Sequence, residues 1–281
     1  MEKSLIFYDI MGYNYPDDKQ YFSITKELTE WLDIPKKEKK LSNNTETQEK
    51  ILNKYKFLYK QIPFVDSIYV CNSTSFKSVN ENSDIDLFII CKNNRIFLAK
   101  FFVWLFFKLF GIYWTHEKNK FCIGFYITKD YQDLYPISIN PIDLYLAYWI
   151  AYLQWLYSEN GEFSVYKENI WVKGIIPNFA LKEKKILNIE KTSWKWIIKK
   201  ILETLFWWNF LNKIIWFFWK KRMKKWKEKL WSKWKNIIIS NNILKFQAPD
   251  IRKNVYLKYK ILQHKIWGTK KKKMIKESSL F

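Results

Sequence analysis

The sequence predicts an α+β fold in which a small mixed β-sheet is covered by helices. Three apolar runs are typical of strands, at residues 64–71, 86–91 and 121–128. Between these runs lie longer segments whose apolar residues recur at helical spacing. The chain has 281 residues, of which 48% are hydrophobic, so it is long enough to bury a core of this kind.

The order of these segments predicts three parts of the chain. Residues 1–45 form an N-terminal helical, winged-helix-like appendage and a linker, because helical spacing gives way to a charged, polar run at 36–45. Residues 46–135 form the sheet core, and residues 136–281 form a C-terminal helical domain with a basic tail. A winged helix either contacts nucleic acid or packs on its own protein, and we expect the second role.

The first helix of the core is expected over residues 46–61, where apolar side chains recur every three or four positions. Pro63 ends it, because proline cannot donate a backbone hydrogen bond. The first strand then runs from Phe64 to Cys71, and Asn93-Asn94 turns the chain after the second strand.

Residues 96–112 are apolar except for Lys100 and Lys108. A membrane span needs about 20 predominantly apolar residues, and each lysine near the bilayer centre would cost several kcal/mol. We therefore expect a helix that covers the sheet and ends at Gly111. Further along, Pro141 to Tyr157 is expected to be helical, Ile237–Ile239 to be a short strand, and a further helix to follow.

The most informative stretch is the polar turn between the first two strands and the start of the second. Asn72-Ser73-Thr74 follows the first strand, and Asp84-Ile85-Asp86 opens the second. Alternate residues of a strand share one face, so the two carboxylates project together. Such a pair is able to bind a divalent cation, although the spacing by itself is also typical of a solvated strand end.

This stretch resembles the nucleotidyltransferases of the DNA polymerase beta type. Their signature is Gly-Ser at the end of one strand and Asp-x-Asp on the next, and Asn72-Ser73 and Asp84-Ile85-Asp86 match it. The resemblance implies that Ser73 and the neighbouring backbone of Asn72 and Thr74 bind the triphosphate, while Asp84 and Asp86 bind Mg²⁺ and act in catalysis. It implies transfer of a nucleoside monophosphate from a nucleoside triphosphate to an unknown hydroxyl acceptor. That reaction needs the triphosphate charge neutralised and the reacting oxygens held in line.

A looser resemblance covers most of the chain and concerns a bacterial group of nucleotidyltransferase-domain proteins. The segments that carry it are residues 5–10, 62–65 and 243–250. These segments are less specific than the signature, so the expected chemistry depends on the signature residues.

Two residues depart from the signature. Asn72 stands where the family has glycine, and asparagine tolerates left-handed backbone better than most residues. The family's third carboxylate has no match on the third strand, where the aligned position is Gly124. Glu117, Asp130 and Asp133 lie just outside that strand and are candidates to replace it. The alternative function is therefore a catalytically degenerate fold that binds nucleotide, RNA or a membrane surface.

The charge of the chain indicates an anionic partner. The net charge is +22, which favours a nucleoside triphosphate, RNA or an anionic membrane surface, although a coding bias toward lysine is an alternative cause. Cys71, Cys91 and Cys122 lack metal-binding spacing and are expected to be buried thiols in a cytoplasmic protein. No apolar signal segment follows Met1, and the expected location is the cytoplasm, with membrane-surface association as an extension.

Residues 194–234 combine tryptophan, phenylalanine and lysine at high density. The pattern is typical of packed core helices, of an amphipathic helix at a membrane surface, and of a nucleic-acid groove. We expect helices that are mostly packed, with their lysines exposed. The exposure of Trp207, Trp208, Trp216 and Trp219 distinguishes packing from a surface that binds a partner.

Overall fold

The structure is a computed structural model that describes the chain in segments. It describes residues 43–77, 79–113, 118–139, 142–159, 165–176, 179, 184–185, 197–230, 237–246, 252–257 and 259–260. For residues 43, 184–185, 209 and 221–230 it describes the backbone only. The predicted N-terminal appendage therefore lies outside the described residues except for its last three, and the basic tail at 270–273 lies outside them altogether.

A seven-stranded mixed sheet organises the described residues. The strands are β1 (Val65–Val70), β2 (Ile85–Cys91), β3 (Phe121–Thr128), β4 (Gln154–Ser158), β5 (Lys184–Lys185), β6 (Ile238–Ile239) and β7 (Ile243–Lys245). Their order across the sheet is β5-β4-β1-β2-β3-β7-β6. β2 runs antiparallel to β1 and parallel to β3, and β4 runs parallel to β5, so the predicted mixed sheet and α+β fold are confirmed.

Helices surround this sheet. They are α1 (Asn43–Lys54), α2 (Lys56–Tyr59), α3 (Asn72–Ser75), α4 (Ile96–Leu109), α5 (Leu144–Ala151), α6 (Val165–Glu168), α7 (Ile197–Leu205) and α8 (Asn209–Leu230). Short 3-10 helices span Tyr135–Ile137 and Ile170–Gly174, and residues 252–257 are helical as well.

The three predicted core strands form where the sequence places them. β3 has the predicted bounds, and β1 and β2 agree with the prediction to within one residue at each end. The predicted helix over 46–61 is present as α1 and α2, interrupted at Tyr55. The local patterns therefore identify the central elements correctly, because each combines strong periodicity with a clear terminating residue.

Both faces of the sheet are buried, which explains why the central strands are apolar throughout. One layer packs α5 and the 170–176 segment against alternate residues of the strands, including Phe88 and Phe125. The opposite layer packs α1, α2 and α4 against the intervening residues, including Ile89 and Tyr126. A strand covered on both sides has no solvent-facing row, so polar side chains concentrate at its ends.

α4 confirms the prediction of a covering helix. It ends at Leu109, and Gly111 adopts a left-handed φ of 65°, as the predicted helix end requires. Among the helices that the structure describes, none has the combination of length and apolar character needed to cross a bilayer.

The prediction for residues 141–157 is wrong in its second half. The helix ends at Ala151, and residues 154–158 form β4, which pairs with β1. The C-terminal part of the chain is therefore not helical throughout. It supplies β4 and β5 to one edge of the sheet and β6 and β7 to the other edge. The predicted strand near Ile237–Ile239 is confirmed as β6. Residues 155–157 are three consecutive apolar residues, and so short a run does not distinguish a buried strand from a buried helix.

α7 is held to the sheet by a cluster of charged side chains. Lys199 is buried, donates to the carbonyl of Val65 at 2.7 Å and lies 3.2 Å from Glu159. Glu203 accepts from the backbone N–H of Phe64 at 2.7 Å and pairs with Lys92 at 2.8 Å. These bonds fix which side of α7 faces the protein, because a buried charge left without a partner costs several kcal/mol.

Lys100 is buried on α4, and its ammonium group lies over the rings of Tyr126, Trp219 and Phe246 at 4.7, 5.5 and 4.4 Å. Burial lowers the pKa of Lys100 to about 8. Because the folded pKa is below the unfolded value, protonation of Lys100 opposes folding at neutral pH.

We expect Lys100→Met to raise the free energy of unfolding at neutral pH by on the order of 2 kcal/mol, since methionine fills the same space without a charge. The advantage should shrink as pH rises from about 8 toward 10.5, where the unfolded lysine also loses its proton. Urea unfolding across this pH range measures it. Lys108→Met, at an exposed position of the same helix, is the control and should change little. A destabilised Lys100→Met would mean that the ring contacts outweigh the burial of the charge.

Candidate metal and phosphate site

The turn after β1 contains a residue with left-handed backbone. Asn72 has a φ of 55°, in the left-handed region where the family has glycine. The backbone N–H of Cys71 donates to the carbonyl of Asp86 at 3.1 Å, so the turn begins beside the second aspartate. The hydroxyl of Tyr145 on α5 donates to Oδ1 of Asn72 at 3.1 Å and holds the turn in this conformation.

The two aspartates flank a buried isoleucine at the start of β2. Ile85 is fully buried in the layer beneath the sheet, and its backbone N–H donates to the carbonyl of Lys120 at 2.8 Å. Phe88, two positions after Asp86, packs in the opposite layer. Strand alternation therefore directs the side chain of Asp86 away from Ile85 and toward the side of the sheet that carries α5.

Gln48 on α1 connects the turn to the start of β2. Its side-chain N–H₂ donates to the carbonyl oxygens of Ser83 and Asp84 at 3.0 and 3.2 Å. Its Oε1 accepts from the hydroxyl of Thr74 at 2.7 Å. Gln48 and Thr74 are both buried, so one amide fixes the spacing between the turn and the aspartates.

Cys122 completes a group of three potential metal ligands. It pairs with Asp86 across the parallel β2 and β3 strands, and one ligand atom from each of Asp84, Asp86 and Cys122 lies within 4.8 Å of the others. Burial, followed by the charges of Asp86 and Asp84, raises the pKa of the Cys122 thiol well above its ordinary value. The thiol is therefore protonated at neutral pH in the absence of a bound cation.

The position next to Asp86 on β3 is thus Cys122 and not Gly124, to which the signature was aligned. Asp130 follows the opposite end of β3, after Thr128, which pairs with Cys91. Thr128 lies six positions after Cys122, which corresponds to roughly 20 Å along a strand. Asp130 therefore cannot supply the third carboxylate, and Asp133 lies further along the chain, where its Oδ1 accepts from the N–H of Tyr135.

Ser73 and Thr74 lie in the same corner of the fold. Ser73 is half-buried in α3, which contacts β2. The hydroxyl of Thr74 is bonded to Gln48, so the backbone of Thr74 is the group that remains for an anion. Glu117, the last candidate for a third carboxylate, lies outside the described residues.

Comparison with models of protein families, with curated proteins and with solved structures found no match to this chain. The arrangement of the site is therefore interpreted from its own residues.

Sequence reasoning missed the roles of Cys122 and Gln48. Cys122 was expected to be a buried thiol of the sheet, which it is, but its register beside Asp86 was not expected. The parallel pairing of β2 with β3 was the missing information, since it alone sets which residue of β3 lies beside Asp86. Gln48 carries no comparable signal, because a buried amide looks the same in sequence as an exposed one.

We expect Gln48→Leu to lower the free energy of unfolding by about 2 kcal/mol, because it leaves the Thr74 hydroxyl and the Ser83 and Asp84 carbonyls without this partner. Urea denaturation measures the change. The matched control is Lys50→Leu, at an exposed position of the same helix. Equal stability of the two variants would show that the amide does not fix the turn.

Proposed function

We propose that this protein is a magnesium-dependent nucleotidyltransferase that transfers a nucleoside monophosphate from a nucleoside triphosphate to a hydroxyl acceptor. The observation that carries the proposal is the convergence of Asp84 and Asp86 with a left-handed Asn72-Ser73 turn at one end of β1 and β2. Ser73, Asp84 and Asp86 match the signature described above in residue type, and Asn72 replaces its glycine. Asp84 and Asp86 would hold the cation, and Ser73 with the backbone of Asn72 and Thr74 would hold the phosphates.

The donor atoms fit a hard divalent cation. Carboxylate oxygens are the protein ligands that Mg²⁺ prefers, and Mg²⁺ commonly binds through one or two carboxylates with substrate phosphates and water. The raised pKa of Cys122 makes its thiol a poor ligand for such an ion. Bound Mg²⁺ would neutralise charge on the triphosphate and orient it. The described side chains supply the carboxylates, and the Gln48 amide keeps the turn and the carboxylates at a constant spacing.

A second function is favoured by Cys122 itself. The family's third carboxylate completes the metal site and helps to deprotonate the acceptor hydroxyl, and a protonated thiol does neither. This observation supports a degenerate nucleotidyltransferase fold that binds a nucleotide without turnover. Both functions include nucleotide binding. They differ in whether the nucleoside monophosphate of a labelled triphosphate is transferred to an acceptor.

Nucleotide binding should depend on magnesium and on both aspartates. We expect the wild-type chain to bind a nucleoside triphosphate in the presence of Mg²⁺, and Asp84→Asn with Asp86→Asn to weaken binding by about 100-fold, since two charge-assisted contacts to the cation are lost. Isothermal titration with each of the four triphosphates measures this.

The control for that experiment is Asp130→Asn with Asp133→Asn, which also removes two negative charges, but beyond the other end of β3. This variant should bind the triphosphate with unchanged affinity. If wild-type protein binds no triphosphate with Mg²⁺ present, both the transferase and its non-catalytic alternative fail. Label transfer to a cell extract that disappears in the Asp84 and Asp86 variant would exclude the degenerate fold.

Restoring a carboxylate beside Asp86 tests the assignment of Cys122. We expect Cys122→Asp to make thermal stability depend on Mg²⁺ more strongly than in the wild type, because three carboxylates repel one another until a cation binds. If the fold retains a competent site, label transfer should also rise, by about 100-fold or more, the usual contribution of a general base.

Cys122→Ser is the control, since it changes the same atom without adding charge. An equal response of the aspartate and serine variants to Mg²⁺ would show that residue 122 does not face the cation.

A further inference from the structure

α7 carries apolar side chains on the side that faces away from the protein. The exposed residues are Ile197, Ile198, Ile201 and Leu205, and each is exposed by half or more. They recur at helical spacing, so they form one stripe along the helix. A helix on the surface of a globular protein ordinarily has the opposite arrangement, with its apolar stripe inward.

The charged side of α7 faces the protein. Lys199 and Glu203 lie one turn apart and join Lys92 and Glu159 in the buried cluster described above. Lys199 also donates to the hydroxyl of Tyr157 at 3.3 Å. Rotating the helix to bury its isoleucines would expose these charged groups to solvent or separate them from their partners. The outward direction of the apolar stripe is therefore a consequence of this ionic contact.

α8 continues the same surface. Trp207 and Trp208, in the connection between the two helices, are 65% and 66% exposed, and Phe210, Ile214, Phe217 and Phe218 follow along α8. The sequence predicts helices that are mostly packed, with their lysines exposed. Of the four tryptophans that test this prediction, Trp216 and Trp219 lie against the core, whereas Trp207 and Trp208 are exposed. The prediction of exposed lysines is wrong for Lys199, which is buried.

Both helices have their inner sides in the same core layer. The side chains that pack against it are Leu202 of α7, Phe206 directly after α7, and Leu211, Ile215 and Trp216 of α8. The outer stripes of the two helices therefore face away from the sheet on the same side of the protein. We call these ten outer side chains, Ile197, Ile198, Ile201, Leu205, Trp207, Trp208, Phe210, Ile214, Phe217 and Phe218, the aromatic surface.

The aromatic surface is larger than an isolated protein ordinarily exposes. An aromatic side chain has about 150–250 Å² of surface, so half-exposure of ten large side chains amounts to on the order of 1,000 Å². The largest apolar patch on a typical monomer is about 300–600 Å² and is often a binding site. A surface of this size indicates a partner.

The charges along the same helices indicate the chemistry of that partner. Lys200, Lys213 and Lys220 are exposed, and Lys220 lies over the ring of Trp216 at 4.4 Å. Glu203 is the one acidic residue in the sequence from 197 to 220, and it faces inward. Residues 221–230 add five lysines and one arginine against one glutamate. The partner that matches apolar side chains bordered by cations is a membrane surface with anionic headgroups.

We propose that the aromatic surface docks on the surface of an anionic phospholipid bilayer, with α7 and α8 lying in the plane of the membrane. Trp207, Trp208 and Phe218 enter the boundary between headgroups and acyl chains, and the lysines contact lipid phosphates. Tryptophan is the residue most typical of that boundary, because its ring is apolar and its N–H remains hydrated. This proposal does not depend on the proposed nucleotide chemistry.

Two other occupants fit the surface less well. A second copy of the chain would bring two equally basic faces together, which is unfavourable at close range. The phosphates of a single-stranded nucleic acid would match the lysines, and its bases would stack on tryptophan. The aliphatic stripe of Ile197, Ile201 and Leu205 would remain without a matching group.

Co-sedimentation of the full chain with vesicles tests the proposal. We expect it to bind vesicles of phosphatidylcholine and phosphatidylglycerol in equal parts, and to bind phosphatidylcholine vesicles far more weakly. Trp208→Ser with Phe218→Ser should reduce partition by about tenfold or more, from the apolar area that no longer enters the bilayer. Lys200, Lys213 and Lys220 changed together to glutamine should reduce it by about fivefold per lysine at low salt.

The matched control is Tyr135→Ser with Ile170→Ser. Those two side chains are 55% and 59% exposed, and their 3-10 helices pack on the opposite layer of the core. This variant should bind vesicles as the wild type does. Circular dichroism of all variants verifies that each is folded.

Three results would overturn the proposal. The first is no binding of the wild type to anionic vesicles at low salt. The second is an equal change in binding for the Trp208 and control variants, which would indicate that the protein adsorbs to vesicles through its overall positive charge. The third is no vesicle binding together with Trp208-dependent dimerisation in ultracentrifugation or Trp208-dependent binding of a single-stranded RNA oligomer, which would assign the surface to a second copy or to nucleic acid.

Discussion

The structure depends on the burial of β2 on both faces. Helices cover the sheet on each side, and β2 lies between β1 and β3, so the strand is paired along both edges and no row of its side chains faces water. Charged residues are therefore tolerated at its ends and excluded from its centre. Asp84 and Asp86 lie at its N-terminal end, where both are half-buried, and the parallel pairing with β3 brings Cys122 beside them. The candidate site is thus a direct consequence of how the sheet is covered.

The ionic contact between Lys199 and the carboxylates of Glu159 and Glu203 determines which side chains of α7 are exposed at the surface. Because the charged side of α7 is directed inward, its isoleucines have no core to enter and remain exposed. Buried ion pairs contribute little net stability compared with apolar packing. Their presence here is more easily understood through the surface that they create than through stability. The same chain thus has a candidate metal and phosphate site at one end of β2 and an apolar, basic surface on α7 and α8.

The candidate site combines residues with different physical roles. Gln48 and Tyr145 touch the turn and the start of β2 without belonging to the signature, and they hold Asn72, Thr74 and Asp84 at a constant spacing. Cys122 occupies the place where a third carboxylate would both add charge and accept a proton. Its raised pKa keeps the thiol neutral. In the proposed site the two carboxylates would hold the cation with the phosphates, and Cys122 would not act as the base for the acceptor. The proposed reaction therefore depends on how much catalysis two carboxylates support.

The sequence by itself determined the central strands, the helix ended at Gly111, the left-handed turn at Asn72 and the shared face of Asp84 and Asp86. Each follows from local periodicity or from the backbone preference of one residue. Tertiary structure decided the rest. Residues 154–158 form a strand because they pair with the edge of β1, and no local pattern contains that information. Cys122 acquires its place from the β2–β3 register, and α7 exposes its isoleucines because Lys199 finds distant partners at Val65 and Glu159. Local sequence determines conformation, whereas pairing between segments far apart in the chain determines which side chains meet.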